Sequence, residues 1–361
     1  MTELVHRSMK QILVTTILLG WHTCLIFSQI YPSNDWEEMQ HPEKEGWNMT
    51  QLENIGQYII DSSQLTGLMV IQKGKVVGSY GDVEETSYIA SCRKSVLAMI
   101  YGPHVMAGTI QLDKTLEELG MDDVEGLSKE EKQATVRHLI QARSGIYHPA
   151  SNGGDFLDMA PERGTKKPGE YWLYSNWDFN AAGYIFEQET GTNIYEEVER
   201  ILVSPLGMQD WKRSEQQKSG NTSRSRYRAY HMWFSTRDMA RLGYLMLRNG
   251  KWQDQQILDP DWVKEMTTFY STAEELNANV PYFGKEGYDY GYGYMWWLWP
   301  DNKHPNLKGG YSALGAWGQS ITVFPAIDVV VAFKTKSVYQ RATSGRVRYE
   351  ISHRIAKAYK G

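Results

Sequence analysis

A serine with a lysine three positions later is the first pair of residues in this chain whose types and spacing could do chemistry. Ser91 and Lys94 stand where a strand-like run, residues 88–90, gives way to an apolar helical pattern that extends to about Val105. Helix positions i and i+3 share a face, so the amine can reach the hydroxyl. A lysine activates a serine only when burial or a neighbouring cation keeps part of its amine neutral. The alternative is a helix-capping serine followed by a solvated lysine.

A second pair of residues could serve the same chemistry. Tyr174-Ser175-Asn176 is the one Tyr-x-Asn in the chain, and it lies in a loop that ends at a helix start. In an extended loop, alternate side chains point to the same side, so a phenol and an amide could enter one cleft together. A phenol near Lys94 could act as a phenolate or a proton relay. Asn176 could hold Lys94 or the substrate carbonyl, and the alternative is that it only caps the helix.

The elements that must position these side chains come from both ends of the chain. Residues 65–81 alternate around Lys73-Gly74-Lys75 and predict a β-hairpin, and residues 235–250 predict an amphipathic helix capped by Ser235 or Thr236. Three strand patterns and a closing helix follow. Strands at both ends with helices between predict one sheet with a helical insertion. The predicted fold class is α/β (α+β), with a sheet domain of residues 45–90 and 226–361 and a helical subdomain of residues 91–225.

The order of these motifs resembles that of the class C β-lactamases and penicillin-binding serine hydrolases. Over residues 45–358 the motifs and the segments around them most resemble those of the family VIII esterases and the 6-aminohexanoate-dimer hydrolases. The resemblance implies a β-lactamase/transpeptidase-like fold, an antiparallel sheet flanked by helices. It also implies a serine hydrolase that acts through an acyl-enzyme on an amide or ester bond, with no cofactor. Ser91, Lys94 and Tyr174 would be catalytic, and Asn176 would orient the site.

The family's third motif, usually Lys-Thr-Gly, is altered here. Its best counterpart is Ala313-Leu314-Gly315, after which Ala316 would lend its backbone N–H to an oxyanion hole together with that of Ser91. Lys308-Gly309-Gly310 is a second candidate whose distance to the following strand fits less well. The first alignment puts no cation at this position, and in lactamases the lysine helps to hold the substrate carboxylate. The sequence therefore favours neutral amides or esters over lactam antibiotics.

Several other residues have two interpretations. His148 follows Ser144-Gly145 in a loop and is a candidate for lining the cleft or contacting substrate, although a lone histidine can also be structural. Ser312 nearly fits a nucleophile elbow, Gly-x-Ser-x-Gly, but a leucine replaces the second glycine. Cys92 is expected in the core. The aromatic segment "YDYGYGYMWWLWP" could form a substrate wall or a half-buried strand. The scattered histidines predict no metal site.

Composition limits the partners and the compartment. The chain has 38 basic and 43 acidic residues without a long run of either sign, which favours a small-molecule or peptide substrate over nucleic acid or a membrane surface. Residues 1–28 resemble an export signal or an N-terminal anchor, so the protein is expected to be periplasmic or secreted. The alternatives to a general hydrolase are a catalytically silent penicillin-binding-like module, and a true β-lactamase or D-peptidase.

Overall fold

The computed structural model describes residues 29–286, 289–301, 303–338 and 341–361. The predicted export segment, residues 1–28, lies outside the described residues. Among the helices in the described ranges, none combines the length and the apolar character needed to cross a bilayer. The export prediction therefore stays a prediction.

Fourteen strands form one large sheet and three small ones. They are β1 (Glu37–Glu38), β2 (Gly67–Gln72), β3 (Lys75–Gly81), β4 (Ser87–Tyr88), β5 (Gln217–Ser219), β6 (Ala229–His231), β7 (Trp233–Phe234), β8 (Lys251–Trp252), β9 (Gln255–Gln256), β10 (Gly291–Tyr292), β11 (Trp297–Leu298), β12 (Tyr311–Gly315), β13 (Gln319–Phe324) and β14 (Val329–Lys334) in the described part of the chain. The large sheet has eight strands in the order β1-β3-β2-β14-β13-β12-β11-β10. Its strands come from the two ends of the chain, as the sequence predicted.

The large sheet is antiparallel, as predicted, apart from one parallel pair at its edge. β1 runs parallel to β3, while the other neighbouring strands in the sheet are antiparallel. A parallel pair needs a crossover, and the chain between β1 and β3 supplies one with a helix and β2. β2 and β3 form the predicted hairpin, whose turn residues Lys73 and Gly74 both have positive φ, 51° and 80°. Such a pair is what a tight hairpin turn of the I′ type requires.

The described residues contain eleven α-helices. They are α1 (Met49–Ser62), α2 (Cys92–Met106), α3 (Val136–Ile140), α4 (Asn176–Thr190), α5 (Ile194–Val198), α6 (Ser204–Leu206), α7 (Thr236–Leu247), α8 (Pro260–Met266), α9 (Ala273–Asn279), α10 (Tyr282–Glu286) and α11 (Gly345–Ala358). α3 to α6 lie in the stretch predicted to be a helical insertion. The two-part division of the chain stays a prediction.

Helices cover both faces of the sheet. A Cβ added to Gly243 in α7 would lie 2.5 Å from Val330 and 2.9 Å from Ile321, so this helix packs closely on one face. Ser352 of α11 lies 3.4 Å from the Thr322 hydroxyl, on the opposite face because neighbouring strand residues alternate. The Ser235 side chain caps α7, as predicted, by accepting a hydrogen bond from Asp238 N–H.

Candidate active site

The strand-to-helix junction presents Ser91 at the first turn of α2. Ala90, just before it, has a φ of 49°, in the left-handed region that a residue with a Cβ seldom adopts. Within the described ranges, the Ser91 hydroxyl accepts no capping bond from the first turn of α2. The structure thus does not support the simple helix-capping interpretation, and the hydroxyl is available for other contacts.

Lys94 brings the predicted residues together. Its Nζ lies 3.3 Å from Ser91 Oγ, 2.6 Å from the Tyr174 hydroxyl and 2.6 Å from Asn176 Oδ1. The same nitrogen is 4.0 Å from the centre of the Tyr174 ring and 4.3 Å from that of Phe179. Four side chains predicted from two distant motifs, 80 residues apart, therefore meet around one amine.

The surroundings of Lys94 favour its uncharged form. The side chain is 1% exposed, and no carboxylate among the described residues lies within ion-pair distance of it. Burial holds the pKa of the Lys94 amine well below its usual range, and the charge of Arg93 lowers this pKa further. Asp155 acts in the opposite direction and more weakly. A neutral amine at this position can accept a proton from a serine hydroxyl.

Asn176 is oriented by its own network. Its Nδ2 donates to the carbonyl of Gly153 over 2.8 Å, which directs Oδ1 towards Lys94. Its backbone N–H donates to Asp155 Oδ2 over 3.0 Å. The capping residue of α4 is Ser175, whose side chain accepts from Trp177 N–H. The capping role considered for Asn176 therefore belongs to its neighbour.

Tyr174 is a buried phenol rather than an exposed one. Its ring packs against Phe179 and Trp297 at 4.8 and 5.4 Å between centroids. Burial raises the pKa of the Tyr174 hydroxyl above its ordinary value, and a hydrogen bond with Ser91 offsets part of this rise. The phenol is therefore protonated at neutral pH, and it can relay a proton between Ser91, Lys94 and a leaving group.

A cleft of about 170 Å³ opens onto Ser91. Its walls are largely aromatic. Two of the aromatic side chains come from the segment "YDYGYGYMWWLWP", which the sequence predicted to be either a substrate wall or a half-buried strand. The lining residues are Ser91, Gly154, Phe156, Tyr174, Phe283, Tyr290, Trp297, Leu314, Gly315, Ala316 and Arg348. Tyr290 and Trp297 line the cleft, whereas Tyr292 and Trp296 are buried in the core, so the segment has both characters.

The altered third motif lies beside the serine. A Cβ added to Gly315 would come within 2.6 Å of the Ile89 carbonyl oxygen and 3.1 Å of Ala90 Cβ, so only glycine permits this approach of β12 to the junction. Ala316, the next residue, is exposed in the cleft. Lys308 lies before the first residue of β12, at the end of this strand opposite Gly315. The structure therefore places the Ala313-Leu314-Gly315 alignment at the cleft.

The Ala313-Leu314-Gly315 motif itself contains no cation, but a cation from another part of the chain lies beside it. Arg348, from α11, lines the cleft, and its Nη1 donates to the carbonyl of Gly315 over 2.6 Å. No local sequence pattern could have found it, because α11 reaches the cleft only through the packing of the whole sheet. The preference for neutral substrates that rested on this absence loses its basis.

Three further candidates lie in structural positions. His148 is 2% exposed, and its two ring nitrogens lie 2.9 and 2.7 Å from the carbonyl oxygens of Pro149 and Val124. It is outside the cleft lining, so a substrate contact is not supported. Ser312 is buried in β12 with its Oγ 2.9 Å from the Trp299 indole nitrogen. Cys92 is buried in the core, as expected.

The comparisons with known proteins identify the family of the chain. The sequence profile of the family described as Beta-lactamase matches residues 62–352, most of the chain. The chain therefore belongs to the beta-lactamase family. Among curated proteins, no significant sequence match was found. Within the described residues, no group of three or more His, Cys, Asp or Glu side chains could hold a metal ion, so no residues of this family member are assigned to a metal.

Solved structures of this fold include several different activities. A protein assigned as a 6-aminohexanoate-dimer hydrolase from Bacillus anthracis is 20% identical, with a TM-score of 0.62 and coverage of 83% of this chain and 81% of that one. The hydrolase EstCE1 is 16% identical, with a TM-score of 0.61 and coverage of 87% and 98%. Simvastatin synthase (LovD) from Aspergillus terreus is 17% identical, with a TM-score of 0.64 and coverage of 86% and 97%. At these identities the likeness shows the β-lactamase/transpeptidase-like fold of this family member alone.

Proposed function

We propose that the protein is a serine hydrolase that cleaves an amide or ester bond of a small molecule or peptide through an acyl-enzyme. The observation that carries the proposal is the buried Lys94 amine, which contacts the hydroxyls of Ser91 and Tyr174 beside an open cleft. A binding module would have no use for a buried lysine without a carboxylate partner, since such burial costs free energy. The family and the named relatives support a hydrolase at the coarser level.

The proposed reaction follows from the contacts among Ser91, Lys94 and Tyr174. Ser91 Oγ forms a bond to the substrate carbonyl carbon while its proton passes to Lys94 Nζ, directly or through the Tyr174 hydroxyl. The developing oxyanion accepts hydrogen bonds from the backbone N–H groups of Ser91 and Ala316. Tyr174 then passes the proton to the leaving amine or alcohol, and the carbonyl–leaving-group bond breaks. A water molecule cleaves the acyl-enzyme by the same relay in reverse.

The size and lining of the cleft select the first substrates to test. Its volume of about 170 Å³ is close to that of an apolar cavity of about 150 Å³ that holds one benzene molecule. An acyl group of roughly one ring or a short chain therefore fits, and the aromatic walls favour an apolar one. p-Nitrophenyl butyrate and benzoate are suitable esters for the first assay.

The test is substitution of the nucleophile with a matched control. Ser91→Ala should abolish both ester turnover and labelling by a fluorophosphonate probe. Ser312→Ala, which removes the hydroxyl of a buried serine in β12 outside the cleft lining, should keep both. Labelling of the Ser91→Ala protein would show that a residue other than Ser91 is the nucleophile. A wild-type protein that binds peptide but shows neither a burst nor turnover would indicate the catalytically silent module.

The true β-lactamase and D-peptidase remain specific forms of the same proposal. Arg348 gives the cleft a cation that could face a substrate carboxylate, so the altered third motif does not decide against them. Fast turnover of a chromogenic cephalosporin relative to the esters would assign the lactamase form. Release of a C-terminal D-alanine from a D-Ala-D-Ala peptide would assign the D-peptidase.

A further inference from the structure

Arg93, next to the proposed base in the sequence, is a buried cation with little compensation. Its side chain is 2% exposed, and its Nη1 donates to the carbonyl of Ala90 over 3.1 Å. Its Nε and Nη2 are buried without a hydrogen-bond partner, and no carboxylate in the described ranges forms an ion pair with it. An arginine cannot shed its charge as a lysine can. A buried charge without a partner is unfavourable for folding, so its place beside the active site calls for a reason.

The groups around Arg93 are neutral. Its guanidinium carbon lies 5.4 Å from the centre of the Tyr230 ring. Burial lowers the pKa of His231 to about 4, and the charge of Arg93 contributes to this shift. Burial also raises the pKa of the Tyr195 hydroxyl above its ordinary value, so this phenol carries no charge at neutral pH. These side chains therefore do not neutralise the guanidinium of Arg93 by direct contact.

On its other side, Arg93 acts on Lys94. The groups that face the Lys94 amine are Ser91 and Cys92 on α2, Tyr174, Asn176 and Phe179 at the start of α4, and Asp155 in the preceding loop. Of these, Asp155 has the one carboxyl group, and burial keeps the Cys92 thiol and the Tyr174 phenol protonated at neutral pH. Arg93 opposes protonation of Lys94 more strongly than Asp155 favours it.

Arg93 also supports the turn that presents the nucleophile. Ala90 adopts a left-handed conformation with φ of 49°, which is unfavourable for alanine and persists only where the surroundings fix it. The Arg93 side chain bonds the Ala90 carbonyl from one side. Gly315 packs against Ala90 from another, where an added Cβ would come within 3.1 Å of the alanine Cβ.

We propose that Arg93 is a positioning residue with two effects: it fixes the Ala90 turn through its Nη1 bond, and its uncompensated positive charge keeps the neighbouring Lys94 amine neutral. The catalytic consequence rests on the function proposed above. The effect of the Arg93 charge on the ionisation of Lys94 does not rest on that function, because it exists whether or not the protein turns over a substrate.

The test measures that ionisation directly. Lysine labelled with ¹³C at Cε is incorporated into the whole protein, the Lys94 resonance is assigned from the Lys94→Met variant, and its chemical shift is followed with pH. In Arg93→Gln, which removes the charge, the Lys94 midpoint should rise by at least one pH unit, a tenfold change in proton affinity.

A matched variant separates this effect from general destabilisation. Arg241 on α7 is also fully buried and also donates to backbone carbonyls, those of Leu206, Ser33 and Asn34. Arg241→Gln should lower the thermal stability and leave the Lys94 midpoint unchanged. Arg93→Met serves as a second neutral variant if Arg93→Gln does not fold.

Three results would overturn the proposal. The first is an unchanged Lys94 midpoint in a folded neutral variant, which would make Arg93 structural only. The second is a midpoint in Arg241→Gln that rises as far as in Arg93→Gln, because general destabilisation would then explain the shift. The third is a wild-type midpoint that changes when chloride is replaced by gluconate, since a bound anion would then compensate Arg93. If the wild-type protein shows no turnover that depends on Ser91, the proposed hydrolase function is refuted. The three measurements of the Lys94 midpoint remain valid in that case.

Discussion

Replacing Asn176 with aspartate should disable the proposed base while changing almost no atoms. Asn176 Oδ1 lies 2.6 Å from Lys94 Nζ in a fully buried site. A unit charge at that distance attracts the ammonium by about 6 kcal/mol at an effective dielectric constant of about 20. Desolvation of the new carboxylate and loss of the Nδ2 bond to Gly153 cancel several kcal/mol of this. With about 1.36 kcal/mol per pKa unit, the pKa of Lys94 should still rise by roughly 2 units.

The sign of the effect on activity follows from the wild-type pKa. Burial and Arg93 hold the pKa of Lys94 below the usual lysine range, so its amine is neutral above that lowered pKa and protonated below it. A base must be neutral, so kcat/KM should fall as the pH falls through the pKa of Lys94. In Asn176→Asp this fall should move to higher pH by roughly 2 units, so activity should be lost in the pH range between the wild-type and variant midpoints and recovered above it.

The assay is the pH profile of kcat/KM for a short-chain ester, with a control on the same helix. Asn180 lies one turn later in α4, is buried, and its Nδ2 donates to Asn152 Oδ1 over 2.8 Å. Asn180→Asp also buries a carboxylate but does not contact Lys94, so its profile should keep the wild-type midpoint. A folded Asn176→Asp protein with a wild-type profile would refute the assignment of Lys94 as the base.

The remaining predictions concern the relay, the thiol and the packing of α7. Tyr174→Phe should lower kcat by about 10²- to 10⁴-fold with little change in KM or Tm, because it removes the hydroxyl 2.6 Å from Lys94 and keeps the ring; steady-state kinetics and calorimetry check both parts. Burial raises the pKa of Cys92 to about 12, so iodoacetamide at pH 8 should label this thiol only after unfolding, and rapid labelling of the native protein would contradict its placement. Gly243→Ala should destabilise the protein by up to about 2 kcal/mol in urea titrations, because a clash 2.5 Å from a methyl of β14 outweighs the better helix propensity. Gly56→Ala, whose added Cβ meets no atom within 4 Å, should instead stabilise α1 by up to about 1 kcal/mol.

Local geometry determines how the side chains are arranged within each of the two motifs, and this part could be predicted from the sequence. A serine and a lysine three positions apart at a helix start must share a face, and Tyr174 and Asn176 alternate to the same side of an extended loop. Both pairs contact as predicted, with Lys94 as the common partner. What the sequence could not supply was the distance between the pairs, which depends on the packing of α2 against α4.

The parts that sequence reasoning missed are those that depend on distant packing. Arg348 reaches the cleft from the last helix, and its only sign in the sequence is an arginine in an amphipathic pattern. β1, Glu37–Glu38, is two residues long and has no periodicity to detect. His148 looks the same in sequence whether its ring faces a cleft or two buried carbonyls, and the structure shows the second.

The burial of α2 connects the fold to the proposed chemistry. Residues Cys92 to Gly102 of this helix are all buried, so a lysine in its first turn has no path along which to extend its ammonium into water. An exposed helix with the same Ser-x-x-Lys sequence would carry a protonated lysine at neutral pH and could not use it as a base. The reactivity assigned to Ser91 therefore depends on the central position of α2 between the sheet and the helical region. This is why the Ser-x-x-Lys pattern alone is weak and becomes informative only with the elements that enclose it.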